Sequence, residues 1–253
     1  SSTNTIETVA RLDPSKYQVK LVFGKTHDPD GKIVSSLKAR GIQFQCLPSL
    51  VRSIHLWRDI QAFFQLYALI RKGQFDIVHT HSSKAGIIGR WAAKFAGVKV
   101  IIHTPHGHIF YGYFNKFISS IFIWIEKITA LITDKIITLT HRGKEEHIQH
   151  GIAKAEKFIP IYSGIDLSLY KSELIDIKKK RAELGLQTDS IVFGSVARLD
   201  AIKGNRYLVD AYIHACKEMP GSQLLLVGDG EEREILKERI ERNELHDRIV
   251  LAG

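Results

Sequence analysis

Cysteine is scarce in this chain of 253 residues, with Cys46 and Cys216 the only two. Two thiols cannot build a disulfide framework, and no metal-binding cysteine cluster is present, which is compatible with a reducing, cytoplasmic setting without proving it. Long apolar runs are missing too. The most membrane-like stretch, Phe117 to Leu139, is interrupted by Glu126, Lys127, Asp134 and Lys135, too broken to span a bilayer. The opening SSTNTIETVARLDPSKY lacks a basic start followed by an apolar core, so no signal peptide is expected. Repeats of solenoid length and low-complexity tracts are absent as well. With 44% hydrophobic and 25% charged residues, the composition excludes disorder and fits a globular protein with one large core or two modest ones.

Acidic residues are short in one part of the chain only. Residues 1–165 carry 22 Lys and Arg against 11 Asp and Glu, a net of +11, whereas 166–253 carry 14 against 16, a net of −2. Ten of the 12 histidines also lie in the first part. This asymmetry points the first part toward an anionic surface or substrate, unless the basic face serves solubility alone.

Strand and helix patterns alternate nearly throughout, the signature of parallel sheets wound on both sides. The alternation breaks between Ser163 and Thr188, which reads as a hinge with a short helix. The expected domains are therefore 1–165, a linker at 166–189, and a second α/β domain over 190–253. Open parallel sheets bind ligands beyond the C-terminal edges of their strands, so the strand ends matter most. One strand ends in His79-Thr80-His81, followed by Ser82-Ser83-Lys84 opening a helix. Another runs into His103-Thr104-Pro105-His106-Gly107-His108, and a third into Ser163-Gly164. IVFGSVA, an apolar run that reads as a strand covered on both faces, leads into Arg198 and Lys203. The strand QLLLV ends in Gly228-Asp229-Gly230. Glycines let backbone amides approach a ligand, and fresh helix N-termini offer unpaired N–H groups to an anion.

Arg198 and Lys203 suit a pyrophosphate, the guanidinium gripping oxygens bidentately and the ammonium acting as a mobile point charge. The alternative is that both solvate a turn. No Asp-x-Asp motif accompanies the pair, so the protein's own cations would stand in for a divalent metal. The spacing of His103, His106 and His108 fits no strong metal motif, and His106, between Pro105 and Gly107, is the best candidate to touch a reacting centre. His79 and His81, if still in the strand, are expected to point to opposite faces, leaving at least one structural. His141, His147 and His150 fall on a helix and are expected to face solvent. The segment from His108 to Ile132 combines an aromatic start with an apolar helix; it reads either as a membrane or lipid-acceptor contact or as an ordinary core-facing helix.

Taken together, SVARLDAIKGNRYLVDAY, LLLVGDGEEREILKERI and DRIVLAG resemble the second domain of glycosyltransferase family 4, whose members have the GT-B fold. DIVHTHSSKAGIIGRWAAKFAGV, VIIHTPHG and IPIYSGID resemble its first domain and the junction that follows. The resemblance covers Asp76 to Gly253 in the right order. It implies an α/β chain of two Rossmann-like domains facing across a cleft, the second incomplete. It further implies a retaining transferase that moves a sugar from a nucleotide-sugar donor to a sugar or lipid-linked acceptor, with no metal and no further cofactor. By position in the motifs, Arg198 and Lys203 would hold the donor diphosphate, His106 would sit beside the donor sugar, and Gly228, Asp229 and Gly230 would form a donor-side loop. His81, Ser82 and Lys84 are the acceptor-side candidates. Ser163 replaces the family's usual asparagine. The family's E-x7-E motif and Gly-rich N-terminal loop have no counterpart, so a chain trimmed at both ends is expected, with a second sheet of about three strands and an exposed edge.

The implied place is the cytoplasm, at the inner face of an anionic membrane, with no specific nucleic-acid partner. Two other readings stand beside this one. A sugar-nucleotide epimerase or phosphorylase would share the architecture, and a non-catalytic remnant would bind nucleotide or an anionic surface through the basic first part.

Overall fold

Short runs rich in Val and Ile become parallel strands, and the amphipathic segments between them become helices. The computed structural model describes residues 2–25, 31–51, 53–107, 115–170 and 175–253, and the chain divides into Ser1–Ile165 and Asp166–Gly253. The first unit begins with α1 (Ser2–Ala10), β1 (Lys20–Gly24), α2 (Lys32–Ala39) and β2 (Gln43–Leu47). It continues through α3 (Leu56–Gly73), β3 (Ile77–His81), α4 (Ser83–Ala96), β4 (Val100–Thr104) and α5 (Lys116–Leu131). β5 (Lys135–Thr138), α6 (His141–Gln149) and β6 (Phe158–Pro160) complete it. β1 and β2 pair in parallel as one sheet, and β3-β4-β5-β6 form another, all parallel.

Of the two apolar clusters in this unit, the larger draws on both sheets, and the other gathers Ala130, Ile136, Ile152 and Phe158. Leu66 and Ile70, four apart on α3, share a face and pack with Ala92 and Ala93 of α4, Leu47 of β2 and Ile101 of β4. α4 lies close on β3 and β4 because its buried face is small. A side chain at Gly89 would strike Thr80 Cγ2, and one at Gly86 would run into the His103 ring. α5 inverts the usual arrangement. Its buried positions are Ser119, Glu126, Thr129 and Ala130, while Phe117, Ile121 and Trp124 are exposed. The polar buried face is satisfied from α4: Arg90, fully buried, donates to both Glu126 oxygens at 2.8 and 2.9 Å, and Trp91 Nε1 donates to Thr129. The expectation that His147 faces solvent is overturned. Its ring is buried on α6 against Phe158, with Nδ1 donating to the Gly143 carbonyl.

The second unit holds α7 (Ile177–Glu183), capped by Asp176, then β7 (Ile191–Val196), α8 (Asn205–Ala215), β8 (Ser222–Val227), α9 (Arg233–Arg242) and β9 (Ile249–Leu251). Its sheet is parallel with the order β7-β8-β9. Leu224 and Leu226 of β8 pack on Val209 of α8, Leu236 of α9 and Ile249 of β9. Each fully buried leucine contributes roughly 1.5–3 kcal/mol. β7 is not the doubly covered strand its composition suggests. Among the described residues it lies at one end of its sheet, with Ile191 and Val196 65% and 83% exposed. An apolar, β-branched run reports strand propensity, whereas burial depends on what lies beside it.

Candidate functional site

In the first unit the ends of β3 and β4 gather imidazoles. His79 and His81 are two residues apart on β3 and so share a face, against the expectation of opposite faces. Their ring centroids are 4.2 Å apart, and His81 stacks on His106 at 5.1 Å. His81 Nδ1 and His106 Nε2 lie 2.9 Å apart and share one proton. His79 Nε2 bonds Thr104 Oγ1 at 2.8 Å. Beneath them His103 is buried, its Nδ1 3.0 Å from Thr80 Oγ1 and its Nε2 3.8 Å from Glu126.

All four rings are held in the neutral form. Desolvation, then the neighbouring imidazoles of His79 and His106, pushes His81 down to about 3. His79 is lowered to about 4 by desolvation first and His106 second, although the residue as a whole is exposed. Desolvation lowers His106 as well. Burial and then the Arg90 guanidinium lower His103 well below the ordinary imidazole range. A neutral His106 can accept or donate one hydrogen bond but offers no positive charge.

Ser82 turns the chain from β3 into α4 with φ 66° and ψ 166°, a conformation nearly reserved for glycine. Its amide donates to the Thr104 carbonyl at 3.2 Å, tying the turn to the end of β4. Its side chain makes no cap to the helix. Lys84 is already engaged: its ammonium bonds the Asp59 carboxylate and the Ser53 carbonyl on the approach to α3. Of the acceptor-side candidates, then, His81 meets His106, Ser82 supplies a strained turn, and Lys84 ties α4 to α3. His108 lies outside the described residues.

In the second unit the turn after β7 is clamped by the loop after β8. Leu199 N donates to the Asp229 carbonyl at 2.9 Å, and Glu232 N to the Leu199 carbonyl at 2.8 Å. The contact requires glycine. A Cβ at Gly228, φ 138°, would sit 2.1 Å from the Ala197 oxygen, and one at Gly230, φ 159°, would sit 2.7 Å from that of Leu199. These two glycines therefore fix the backbone on either side of Arg198. Arg198 itself projects outward, with Nη1 2.8 Å from Asp200. Its carbonyl accepts from the buried side chain of Asn205, the first residue of α8. Lys203 is exposed, closing a 3-10 turn over Ala201–Lys203 before Gly204 in the left-handed region. Asp229 is exposed, 3.9 Å from Arg233.

Sequence reasoning passed over Asp200, although an acid two residues from Arg198 is an evident counter-ion. It named Thr80, Thr104 and Glu126 without a role and passed over Arg90, because partners 23 to 36 residues apart carry no local signal. Among the described residues, no group of three or more His, Cys, Asp or Glu is arranged to hold a metal ion.

Residues 2–169 match the family model Glycosyltransferase Family 4, and residues 176–253 match Glycosyl transferases group 1. An Escherichia coli relative, UDP-Gal:alpha-D-GlcNAc-diphosphoundecaprenol alpha-1,3-galactosyltransferase, is 36% identical over 210 residues, covering 82% of this chain and 54% of its own length. Anabaena HepE, solved with UDP and glucose, superposes with a TM-score of 0.76 at 21% identity, over 98% of this chain and 64% of that one. The structure of a "putative UDP-N-acetylglucosamine 2-epimerase" from Listeria monocytogenes superposes at 0.67 with 13% identity, over 100% and 66%. Likenesses at that identity carry the fold alone. The chain spans about half the length of the curated relatives it matches. The matched models cover nearly every residue, in the order first unit then second, and this chain belongs to the family 4 glycosyltransferases, with two α/β Rossmann-like units of GT-B type.

Proposed function

We propose that the chain serves a retaining transfer of a sugar from a nucleoside-diphosphate sugar to a hydroxyl of a lipid-linked or polysaccharide acceptor. The observation that carries this reading is the Arg198–Lys203 turn, held by the glycine loop at the C-terminal end of a parallel sheet in a family 4 chain. In that reading Arg198 and Lys203 bind the donor diphosphate. As the bond from the anomeric carbon to the diphosphate oxygen breaks, negative charge grows on the leaving group and the two cations stabilise it. They take the place a divalent metal would fill. The acceptor oxygen forms the new bond on the same face of the sugar, and its proton passes to the departing diphosphate. His106, held neutral and hydrogen-bonded to His81, contacts the donor sugar.

The name of the E. coli relative supports a UDP-sugar donor and a diphosphate-bearing lipid acceptor. An anionic membrane surface as the working place is supported by the net +11 of residues 1–165 and by the outward apolar side chains of α5. No helix among the described residues is long and apolar enough to cross a membrane.

The test is thermal unfolding with UDP, GDP and ADP beside an Arg198→Ala/Lys203→Ala variant. Nucleotide at 100 times its dissociation constant stabilises by about 2.7 kcal/mol, which raises the midpoint by roughly 5–10 °C. One nucleotide is expected to give this shift, and the double variant to lose it. No shift with any of the three would sink the reading.

A further inference from the structure

At the other flank of the first unit lies a cavity of about 380 Å³, lined by Lys25, Pro48, Ser49, Arg58, Gln61 and Gln65. Lys25 and Pro48 follow directly on β1 and β2, so the cavity opens at the C-terminal ends of parallel strands, where open α/β sheets bind ligands. Its chemistry is one-sided. Two cationic residues, two amides and a hydroxyl line it, and no carboxylate among the described residues does. Ser49 is buried and donates to Gln65 Oε1 at 2.6 Å, which orients that amide. Asp59, next to Arg58 in sequence, turns elsewhere: its carboxylate bonds Lys84 and accepts from the His55 amide. The same Lys84 contact joins the cavity's helix to the strand end that carries His81.

A second feature adjoins the cavity. Arg58, Gln61 and Gln65 form one row of α3 at spacings of three and four, and Trp57, Ile60 and Phe64 form the next row round. This second row is largely exposed, Trp57 at 74% and Phe64 at 61%; Leu56 and Ile54 at the helix entrance are exposed as well. Phe63 bridges Phe64 to the exposed Phe95 of α4, extending the apolar strip. A cationic, donor-rich cavity edged by an apolar strip matches a ligand with a phosphorylated head and a hydrocarbon chain.

We propose that Lys25 and Arg58 hold the phosphate or diphosphate of a phosphorylated lipid, whose chain lies along Trp57, Ile60 and Phe64. The assignment of this lipid as the sugar acceptor rests on the transferase reading; its binding does not.

The experiment is titration calorimetry of the whole chain with geranyl diphosphate, inorganic pyrophosphate and geraniol. Geranyl diphosphate is expected to bind, and Lys25→Gln/Arg58→Gln to weaken it at least about tenfold, the loss expected for charged hydrogen bonds. Arg58→Lys is expected to restore part of that loss. Trp57→Ser is expected to weaken geranyl diphosphate but leave pyrophosphate unchanged. The Arg198→Ala/Lys203→Ala variant, which abolishes nucleotide binding on the transferase reading, is expected to bind geranyl diphosphate normally. A transferase failure thus shows in the nucleotide titration and a failure of this proposal in the geranyl one. The proposal is overturned if the wild-type chain does not bind geranyl diphosphate, if the Lys25/Arg58 variant binds it unchanged, or if pyrophosphate binds equally well and Trp57→Ser alters neither.

Discussion

His79 and His81 are held at about 4 and about 3, against about 6.5 for a free imidazole, so the unfolded chain takes up their protons first. The sign follows directly. Stability from these groups is complete above about pH 6.5, declines as pH falls toward 4, and levels off below 3. Calorimetric midpoints measured across that window are expected to fall, and His81→Gln to flatten the decline relative to the parent chain. An unchanged slope would mean that the imidazole cluster does not form as described. The presence of these histidines at strand ends was legible in the sequence. Their shared face follows from period-two alternation, yet the expectation placed them apart. Burial of His147 was not legible, because the charged neighbours Arg142, Lys144, Glu145 and Glu146 make α6 read as a solvated helix.

Between elements, the strongest unforeseen connection is Arg90 of α4 with Glu126 of α5. Removing one member of a buried pair leaves an uncompensated charge and costs about 3–5 kcal/mol, whereas replacing both by apolar groups is close to neutral. Arg90→Met is expected to destabilise by that amount in urea unfolding, and Arg90→Met/Glu126→Leu to recover most of it. If the double variant were no better than the single one, Glu126 would have to be satisfied by other means. Alternating strands and helices, and with them the parallel sheets, were readable from the spacing of apolar runs. The outward apolar face of α5 was not, since its composition fits a core helix equally well. β7 shows the same gap, being apolar in sequence and, among the described residues, at one end of its sheet. The cavity beside α3 escaped notice because two strand ends and a helix row supply its lining, each unremarkable alone.

Across the whole chain the charge is divided, +11 over 1–165 against −2 over 166–253. Charges on an exposed surface act over about 8 Å at physiological ionic strength and are screened above it. Residues 1–165 also present outward the apolar side chains of α3 and α5. Sedimentation with vesicles containing anionic lipid is therefore expected at low salt, with a residue of binding at 0.5 M salt, roughly, that uncharged vesicles share. Complete loss of binding with salt would assign the association to charge alone. Equal binding to charged and uncharged vesicles would assign it to the apolar faces alone.

Arg198 rests against Asp200, and on the transferase reading diphosphate capture would be an exchange of partners rather than the filling of an empty socket. A singly charged anion offers the guanidinium little beyond the carboxylate it already has. A group with several oxygens, able to reach Lys203 at the same time, offers more. On that same reading, discrimination against chloride, carboxylates and stray phosphate monoesters would belong to the turn itself, and the same carboxylate would be at hand to reclaim Arg198 from a spent nucleotide.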